Sequence, residues 1–199
     1  QAAYAMRIWE IRERLPRLRL LIQVDDGTET LLPGARDFDK EILRAEGPFG
    51  SFFLREDSGK PIVLLASGTG FAPVKAIVEH MQHKGIARPA ALYWGGRRPR
   101  DLYMHDWCRT MAREMPNLRY VPVVSDALPE DAWRGRSGFV HAAVMQDLPD
   151  LSGHEVYACG APIVVDSAQR DFVERCGLPE GEFYADAFTS EADKHGAAG

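Results

Sequence analysis

A short apolar run at residues 61–66 is followed by apolar residues at helical spacing. The run, Pro-Ile-Val-Leu-Leu-Ala, is aliphatic and β-branched, which is typical of a strand covered on both faces. The spaced apolar residues are Val74, Ile77, Val78 and Met81. Their spacing of three and four positions predicts one face of a helix. The pattern therefore predicts a buried strand and a helix, joined by a turn at residues 67–70.

Strand and helix patterns alternate from this point onward. The predicted strands are residues 62–66, 90–94, 118–124, 156–159 and 182–187, and the predicted helices are residues 72–84, 101–114, 138–146 and 162–176. Strict alternation implies right-handed strand–helix–strand units, and hence an α/β fold with a doubly wound, parallel, five-stranded sheet flanked by helices. Ligands of such sheets bind in the crevice beyond the carboxyl ends of the strands.

The first sixty residues have a different pattern. Residues 2–15 could form a short amphipathic helix, and the nearby arginines favour a solvated basic face over a phosphate site. The Asp25-Asp26-Gly27 turn predicts a β-hairpin of residues 18–24 and 28–32. Two more strands are predicted at residues 42–45 and 51–54. This part of the chain is therefore interpreted as a small β region ahead of the α/β domain.

Composition narrows the class of protein. The 199 residues, 45% of them hydrophobic and with a net charge of −5, suffice for one sizeable core, or for one domain and a fragment of another. No apolar run reaches the roughly 20 residues of a membrane span, and no signal-peptide core is found, so we expect a cytoplasmic protein without a membrane partner. The acidic balance argues against nucleic acid.

Cysteine and histidine usage argues against a metal centre. The three cysteines are scattered, so neither a disulfide framework nor a four-cysteine metal or iron–sulfur site can be built within the chain. His80 and His83 lie one turn apart on a predicted helix, but no third ligand is near them in the sequence. Solvated surface histidines are favoured, and no metal is expected.

The turn after the first α/β strand has the composition of an anion site. Gly68 and Gly70 let the backbone turn sharply and approach a ligand, and Thr69 offers a hydroxyl group. Pro73 suits the first turn of the following helix, whose free N–H groups favour an anion. Glycine-rich turns also occur where they merely pack, and Pro73 stands where the usual dinucleotide fingerprint has its third glycine.

Polar or small residues follow three other predicted strands. Gly95 and Arg97 suit an adenosine and its phosphates, and Ser125 and Asp126 could bind ribose hydroxyls. The fourth strand ends in a second tight turn, Cys159-Gly160-Ala161-Pro162. Each has an ordinary alternative: a solvated arginine, an Asp that caps a turn, or an inert buried thiol. Their convergence on one edge predicts a single polar crevice.

In this order, six motifs resemble the ferredoxin–NADP reductase superfamily, specifically its pyridine-nucleotide domain, over residues 42–188. The motifs are Gly47-Pro48-Phe49-Gly50, Gly68-Thr69-Gly70-Phe71-Ala72-Pro73, Leu92-Tyr93-Trp94-Gly95-Gly96-Arg97, Asp101-Leu102-Tyr103, Tyr157-Ala158-Cys159-Gly160-Ala161-Pro162 and Phe183-Tyr184-Ala185-Asp186-Ala187-Phe188. The last looks most like the reductases that feed iron–sulfur oxygenases and the CDP-6-deoxyglucoseen reductase group.

The resemblance implies an NADH-dependent flavin oxidoreductase that passes hydride from NADH to FAD, and then single electrons to an iron–sulfur protein or domain. It implies that the pyrophosphate lies on Gly68–Gly70, the adenosine near Arg97 and Ser125, and the nicotinamide near Thr69 and Cys159. Gly160 and Pro162 belong to the same nucleotide site. Phe188 matches the aromatic residue that shields the flavin, with Tyr184 as second candidate and a core aromatic as the alternative.

Two departures from the family pattern shape the expectation. NADPH-using relatives usually have Ser-Arg where this chain has Ser125-Asp126, so we expect NADH rather than NADPH. The family's flavin motif Arg-x-Tyr-Ser/Thr does not occur, so residues 1–55 are interpreted as a partial or degenerate flavin-barrel region and residues 56–199 as the NAD(P)-binding domain. The alternative is an NAD-binding module without redox activity. An uncovered apolar patch around Phe49, Tyr184 and Phe188 would predict a homodimer or a missing domain.

Overall fold

The computed structural model of the chain describes residues 22–23, 36–37 and 51–187. The chain divides into two compact units, Gln1–Gly50 and Ser51–Gly199. In the first unit, strand β1 (Ile22–Gln23) pairs in parallel with β2 (Arg36–Asp37). This pairing differs from the predicted antiparallel hairpin. Antiparallel strands can be joined by a tight turn, whereas parallel strands need a long connection, here residues 24–35. The other arm of that hairpin, the predicted helix at residues 2–15 and the strand at 42–45 lie outside the described residues.

The second unit is built on a parallel six-stranded sheet with the strand order β6-β5-β4-β3-β7-β8. The strands are β3 (Ile62–Ser67), β4 (Ala90–Gly96), β5 (Leu118–Val124), β6 (Arg136–Ser137), β7 (Glu155–Gly160) and β8 (Phe183–Ala187). The helices are α1 (Phe71–Lys84), α2 (His105–Glu114), α3 (Val140–Asp147) and α4 (Pro162–Cys176). Single 3-10 turns lie at Gly68–Gly70, Pro99–Asp101, Pro129–Asp131 and Glu180–Glu182. The predicted doubly wound α/β fold is confirmed.

Alternate residues of each strand face opposite layers of the core. On β3, Leu64 and Ala66 pack with α1 and α2, whereas Val63 and Leu65 pack with α3 and α4. The four β3 residues are fully buried, which accounts for the uninterrupted apolar run in the sequence. With helices on both faces, the carboxyl ends of β3, β4, β5 and β7 share one open edge.

Three details of the predicted elements are wrong. The sheet has a sixth strand, β6, whose two residues pair with Val123 and Val124 and are too few to give a sequence pattern. Residues 51–54 form no strand; the carbonyl groups of Ser51 and Phe53 accept hydrogen bonds from the Arg55 guanidinium instead. The helix predicted from Asp101 begins at His105, because the Asp101 side chain closes a separate turn before it.

Among the described residues, the longest helices are too short and too polar to cross a lipid bilayer.

Candidate functional site

A cavity of about 650 Å³ opens at the carboxyl ends of the central strands. The ends of β3, β4 and β7, the loops after these strands and after β5 and β6, and the starts of α3 and α4 contribute to its wall. The lining residues are Ser67, Gly68, Thr69, Gly95, Gly96, Arg97, Asp101, Ser125, Gly138, Phe139, Val140, Gly160, Ala161 and Val164. The structure therefore brings together Gly68, Thr69, Gly95, Arg97, Ser125 and Gly160 of the predicted site.

The β3–α1 turn presents Gly68 to this cavity. Gly68 has a positive φ of 52°, and a Cβ added to it would meet no atom within 4 Å. Its carbonyl oxygen accepts a hydrogen bond of 3.2 Å from Nε1 of Trp94. Trp94 is fully buried and stacks on Phe71, with ring centroids 3.9 Å apart. The hydrogen bond from Trp94 thus holds the turn on the side that faces the core, while the side of the turn that faces the cavity stays open to a ligand.

Gly70 has a different role from Gly68. A Cβ on Gly70 would lie less than 3.0 Å from the main-chain carbonyl of Cys159 and from the Cα of Gly160. Gly70 is buried and does not line the cavity. The structure therefore favours the packing alternative for Gly70, because the missing side chain lets the β3–α1 turn contact the β7–α4 turn.

The two turns are also joined through Ser67. Its Oγ accepts a hydrogen bond of 3.0 Å from the main-chain N–H of Ala161. Gly160, with a φ of 142°, lies so close that a Cβ there would collide with Oγ and the carbonyl oxygen of Ser67. These contacts fix the start of α4 next to the start of α1.

Both helices begin without a capping side chain. The N-cap residues are Gly70 for α1 and Ala161 for α4, and neither makes a side-chain cap hydrogen bond. Pro162 occupies the first position of α4 and Pro73 lies in the first turn of α1, as predicted. The N–H groups of Phe71 and Val164 donate to main-chain carbonyls of the preceding turns. The positive ends of the two helix dipoles, more than free first-turn N–H groups, therefore favour an anion here.

The opposite side of the cavity is polar and charged. Ser125 and Asp126 follow β5, and their N–H groups donate to the carbonyl groups of Gly96 (3.0 Å) and Arg97 (2.9 Å). The Asp126 carboxylate lies 3.4 Å from the guanidinium groups of both Arg97 and Arg98. Arg97 is 81% exposed and Asp126 is 50% exposed, so both can contact a ligand. Asp126 lies next to the lining residue Ser125.

Asp101 shapes the loop that carries these arginines. Its Oδ2 accepts hydrogen bonds from the main-chain N–H groups of Arg97 (3.0 Å) and Arg98 (2.8 Å). The sequence pattern predicts a helix from Asp101 and gives no sign of this role. The carboxylate holds the main chain at the end of β4, and so determines where the Arg97 side chain leaves the loop.

The thiol of Cys159 faces the core and not the cavity. It is fully buried in the same apolar cluster as Phe71 and Trp94. Burial raises the pKa of the Cys159 thiol to about 12, so the thiol is neutral at physiological pH. What the structure brings to the site is the main chain of Cys159, through its contact with Gly70.

Of the two aromatic residues predicted at the flavin, Tyr184 lies apart from this cavity and Phe188 lies outside the described residues. Tyr184 is the second residue of β8, and its ring stacks on Tyr157 with centroids 4.9 Å apart. The strand ends three positions later, at Ala187, and Tyr184 is not among the lining residues. Phe188 lies outside the described residues, as do Phe49 and the Gly-Pro-Phe-Gly motif that contains it.

Sequence reasoning missed the apolar wall of the cavity. Phe139 is 69% exposed, lies at the cavity and stacks on His141 with centroids 5.9 Å apart. Val140 packs so closely on Gly95 that a Cβ at Gly95 would meet it at 2.8 Å. Val164 of α4 completes the wall. The available signal was the Gly138-Phe139 pair directly before a helix, at the same edge as the other turns.

Comparison with known proteins identifies the family. The model of the oxidoreductase NAD-binding domain matches residues 64–170, more than half of the chain. The CDP-6-deoxy-L-threo-D-glycero-4-hexulose-3-dehydrase reductase of Yersinia pestis is 47% identical, over 75% of this chain and 44% of that protein. The ferredoxin–NAD(P)(+) reductase component of the naphthalene 1,2-dioxygenase/salicylate 5-hydroxylase systems of Ralstonia sp. is 37% identical, over 73% and 44%.

A solved structure is similar to this chain in both fold and sequence. The cytochrome P450 reductase GcoB of Amycolatopsis has a TM-score of 0.65 and 34% identity, over 72% of this chain and 43% of that one. The chain thus spans less than half the length of these proteins. It belongs to the oxidoreductase NAD-binding domain family, as the pyridine-nucleotide domain of the ferredoxin–NADP reductase superfamily.

Proposed function

We propose that this chain is the NADH-binding part of a flavin-dependent electron-transfer reductase. Bound NADH would supply a hydride to FAD, from which single electrons would pass to an iron–sulfur protein or domain outside the chain. The relatives support this class, since they are named as reductases and as reductase components of oxygenase systems. The observation that carries the proposal is that one cavity is lined by the unobstructed Gly68, by Thr69 and by the uncapped start of α4.

The pyrophosphate of the nucleotide fits the β3–α1 side of the cavity. Gly68 leaves room for phosphate oxygens, and Thr69 can donate from its hydroxyl group. The positive ends of the α1 and α4 dipoles add a partial positive charge. In this proposal Gly160 lines the nucleotide site, whereas Gly70 and Pro162 act on the nucleotide indirectly, because they determine where the two helices begin.

The ribose and adenine fit the other side. Ser125 can bind a ribose hydroxyl, Asp126 can accept hydrogen bonds from a free ribose diol, and Arg97 can approach the phosphates. A carboxylate at position 126 would repel a 2'-phosphate, which favours NADH over NADPH. The exposed ring of Phe139 offers a flat apolar surface on which adenine can stack. Gly95 keeps this wall close to the strand ends.

The nicotinamide would lie near Thr69 and the main chain of Cys159. The protein's contribution to hydride transfer is to hold the ring at the proper distance and angle from the flavin. The Cys159 thiol, neutral and buried, would act by packing beneath this place rather than as an acid or base. Phe188, with Tyr184 as second candidate, is proposed to cover the flavin ring. Residues 1–55 are proposed to be a partial flavin-barrel region ahead of the NAD(P)-binding domain, residues 56–199.

The alternative is a nucleotide-binding module without redox activity. It is favoured by the absence of an Arg-x-Tyr-Ser/Thr motif from this sequence. Both functions use the same nucleotide site. They differ in whether this chain retains a flavin that NADH can reduce.

One experiment separates the two functions. The purified chain is incubated with FAD and desalted, and its visible absorption is recorded before and after anaerobic addition of NADH. Isothermal titration with NADH, NADPH and ADP-ribose is performed on the same preparation. A retained flavin band that bleaches with NADH supports the reductase. NADH binding without a retained flavin supports the module, and the absence of NADH and ADP-ribose binding contradicts both.

Location and assembly are part of the same proposal. A cytoplasmic protein is proposed, and cell fractionation tests it. A homodimer is proposed only if the aromatic residues near the end of the chain remain uncovered, which light scattering with and without FAD tests.

A further inference from the structure

Arg55 lies where the chain leads into the sheet of the second unit. The linker segment, residues 51–60, contains neither helix nor strand and runs directly into β3. The Arg55 guanidinium carbon lies 3.8 Å from the ring centroid of Phe53 and 4.6 Å from that of Tyr184. One guanidinium therefore lies within cation–π distance of a ring in the linker segment and a ring in the last strand.

The same side chain closes the linker segment on itself. Its two terminal nitrogens donate to the carbonyl groups of Phe53 and Ser51, both at 3.2 Å. The planar fork of arginine can make these hydrogen bonds in its plane while its faces contact the rings. Lysine has no such plane. This combination explains why an arginine side chain, rather than a ladder of main-chain hydrogen bonds, orders residues 51–55.

The main chain of Arg55 is held separately by a buried network. Its N–H donates to the hydroxyl oxygen of Tyr157 (2.9 Å), and its carbonyl accepts from the Arg88 guanidinium (2.7 Å). Tyr157 and Arg88 both donate to the Glu155 carboxylate, at 2.9 and 2.8 Å. These bonds do not use the Arg55 side chain. A variant that removes only the guanidinium therefore leaves the linker segment attached to β7.

The contacts of the Arg55 guanidinium extend to β8, the strand that ends beside the nucleotide cavity. The Tyr184 ring contacts both the Arg55 guanidinium and the Tyr157 ring, and three residues later β8 ends at Ala187, opposite the cavity residue Gly160. Phe188, the proposed flavin-covering residue, is next in the chain. The guanidinium therefore links the segment that leads into the domain with the strand that leads to Phe188.

We infer that Arg55 is a positioning residue that couples the linker segment to β8, and thereby sets the geometry of hydride transfer without touching the nucleotide. The effect on hydride transfer rests on the proposed function. The coupling itself does not, because it concerns only residues within the second unit. Loss of the guanidinium should loosen both segments together, lower the rate of flavin reduction and leave NADH affinity unchanged.

The test compares Arg55→Met with Arg55→Lys and with Arg113→Met, an exposed arginine on α2 whose hydrogen bonds stay within its own helix. Amide hydrogen exchange of the full chain is followed in peptides covering residues 51–60 and 183–187. Arg55→Met should accelerate exchange in both by roughly fivefold to thirtyfold, Arg55→Lys by less, and Arg113→Met in neither. Acceleration confined to residues 51–60 overturns the coupling.

Variants of Tyr184 test the same coupling from the β8 side. Tyr184→Leu removes the ring and should accelerate exchange in residues 51–55, whereas Tyr184→Phe keeps the ring and should not. With FAD and NADH, Arg55→Met should lower kcat with KM for NADH unchanged; a raised KM at constant kcat overturns the positioning role. Failure of the wild-type chain to bind NADH or retain FAD counts against the proposed function instead, since the exchange measurements need neither cofactor.

Discussion

Gly70 packs its main chain directly against the main chain of Cys159. The two residues belong to different turns, and a Cβ on Gly70 would lie less than 3.0 Å from the Cys159 carbonyl oxygen and carbon. Gly68, two residues earlier, has open space where its Cβ would be. The two glycines of one motif therefore serve different purposes. Gly70 allows the turns to pack, and Gly68 leaves the cavity free.

This difference predicts opposite phenotypes for two alanine variants. Gly70→Ala forces main-chain atoms apart and should lower the free energy of unfolding by about 3 kcal/mol, the range of overpacked cores. Gly68→Ala introduces only a left-handed alanine, at a cost of about 1 kcal/mol, but should weaken NADH binding because its methyl group enters the cavity. Urea denaturation and calorimetry measure the two effects. Equal losses of stability in both variants would contradict the assignment.

The sequence predicted which edge of the sheet holds the site. It did not predict which residues there line the cavity and which pack the turns together. The apolar run on β3 and the turns after β4, β5 and β7 were visible because strand periodicity and glycine content are local signals. The contact between Gly70 and Cys159 joins turns far apart in the chain, so no local pattern reports it. Phe139 was missed for a related reason: a single exposed aromatic residue has no period.

The buried thiols predict an unreactive native protein. All three cysteines are buried, and burial raises the pKa of Cys108 and Cys159 to about 12. Because the thiolate is the reactive form, a chromogenic disulfide reagent at pH 8 should modify none of them in the native protein and all three in urea. Cys159→Ala should retain NADH binding. Rapid modification of one native thiol, lost in Cys159→Ala, would indicate that Cys159 opens to the cavity.

The carboxylate of Asp126 predicts a switch in nucleotide preference. Asp126→Arg removes the proposed acceptor for the ribose diol and adds a cation beside Arg97 and Arg98. Affinity for NADH should fall about tenfold, the value of one hydrogen bond to a charged group, while affinity for NADPH rises. The isosteric Asp126→Asn should reduce the preference without reversing it. Calorimetric titration of each variant decides: no gain with NADPH means that Asp126 does not face the ribose.

The buried Glu155 carboxylate should account for part of the stability that the folded protein loses in acid. Burial alone would raise its pKa, but hydrogen bonds from Ser58, Arg88 and Tyr157 hold the pKa of Glu155 below its ordinary value near 4.5. Because the pKa is lower in the folded state, this stabilisation is complete above the unfolded value and is lost as the pH falls through the folded one. Wild-type stability should therefore fall from pH 5 to pH 3.

Glu155→Gln isolates this contribution. The variant should be less stable than wild type at pH 7 by about 3 kcal/mol, because the Arg88 guanidinium loses the charge of its buried partner. It should also lose less stability than wild type between pH 5 and pH 3. The pKa of Asp147 is lowered too, by hydrogen bonds from Arg136 and Tyr93 that outweigh its burial, and this carboxylate contributes equally to both proteins. Urea denaturation at five pH values gives the two slopes, and parallel slopes would mean that Glu155 keeps its ordinary pKa in the folded protein.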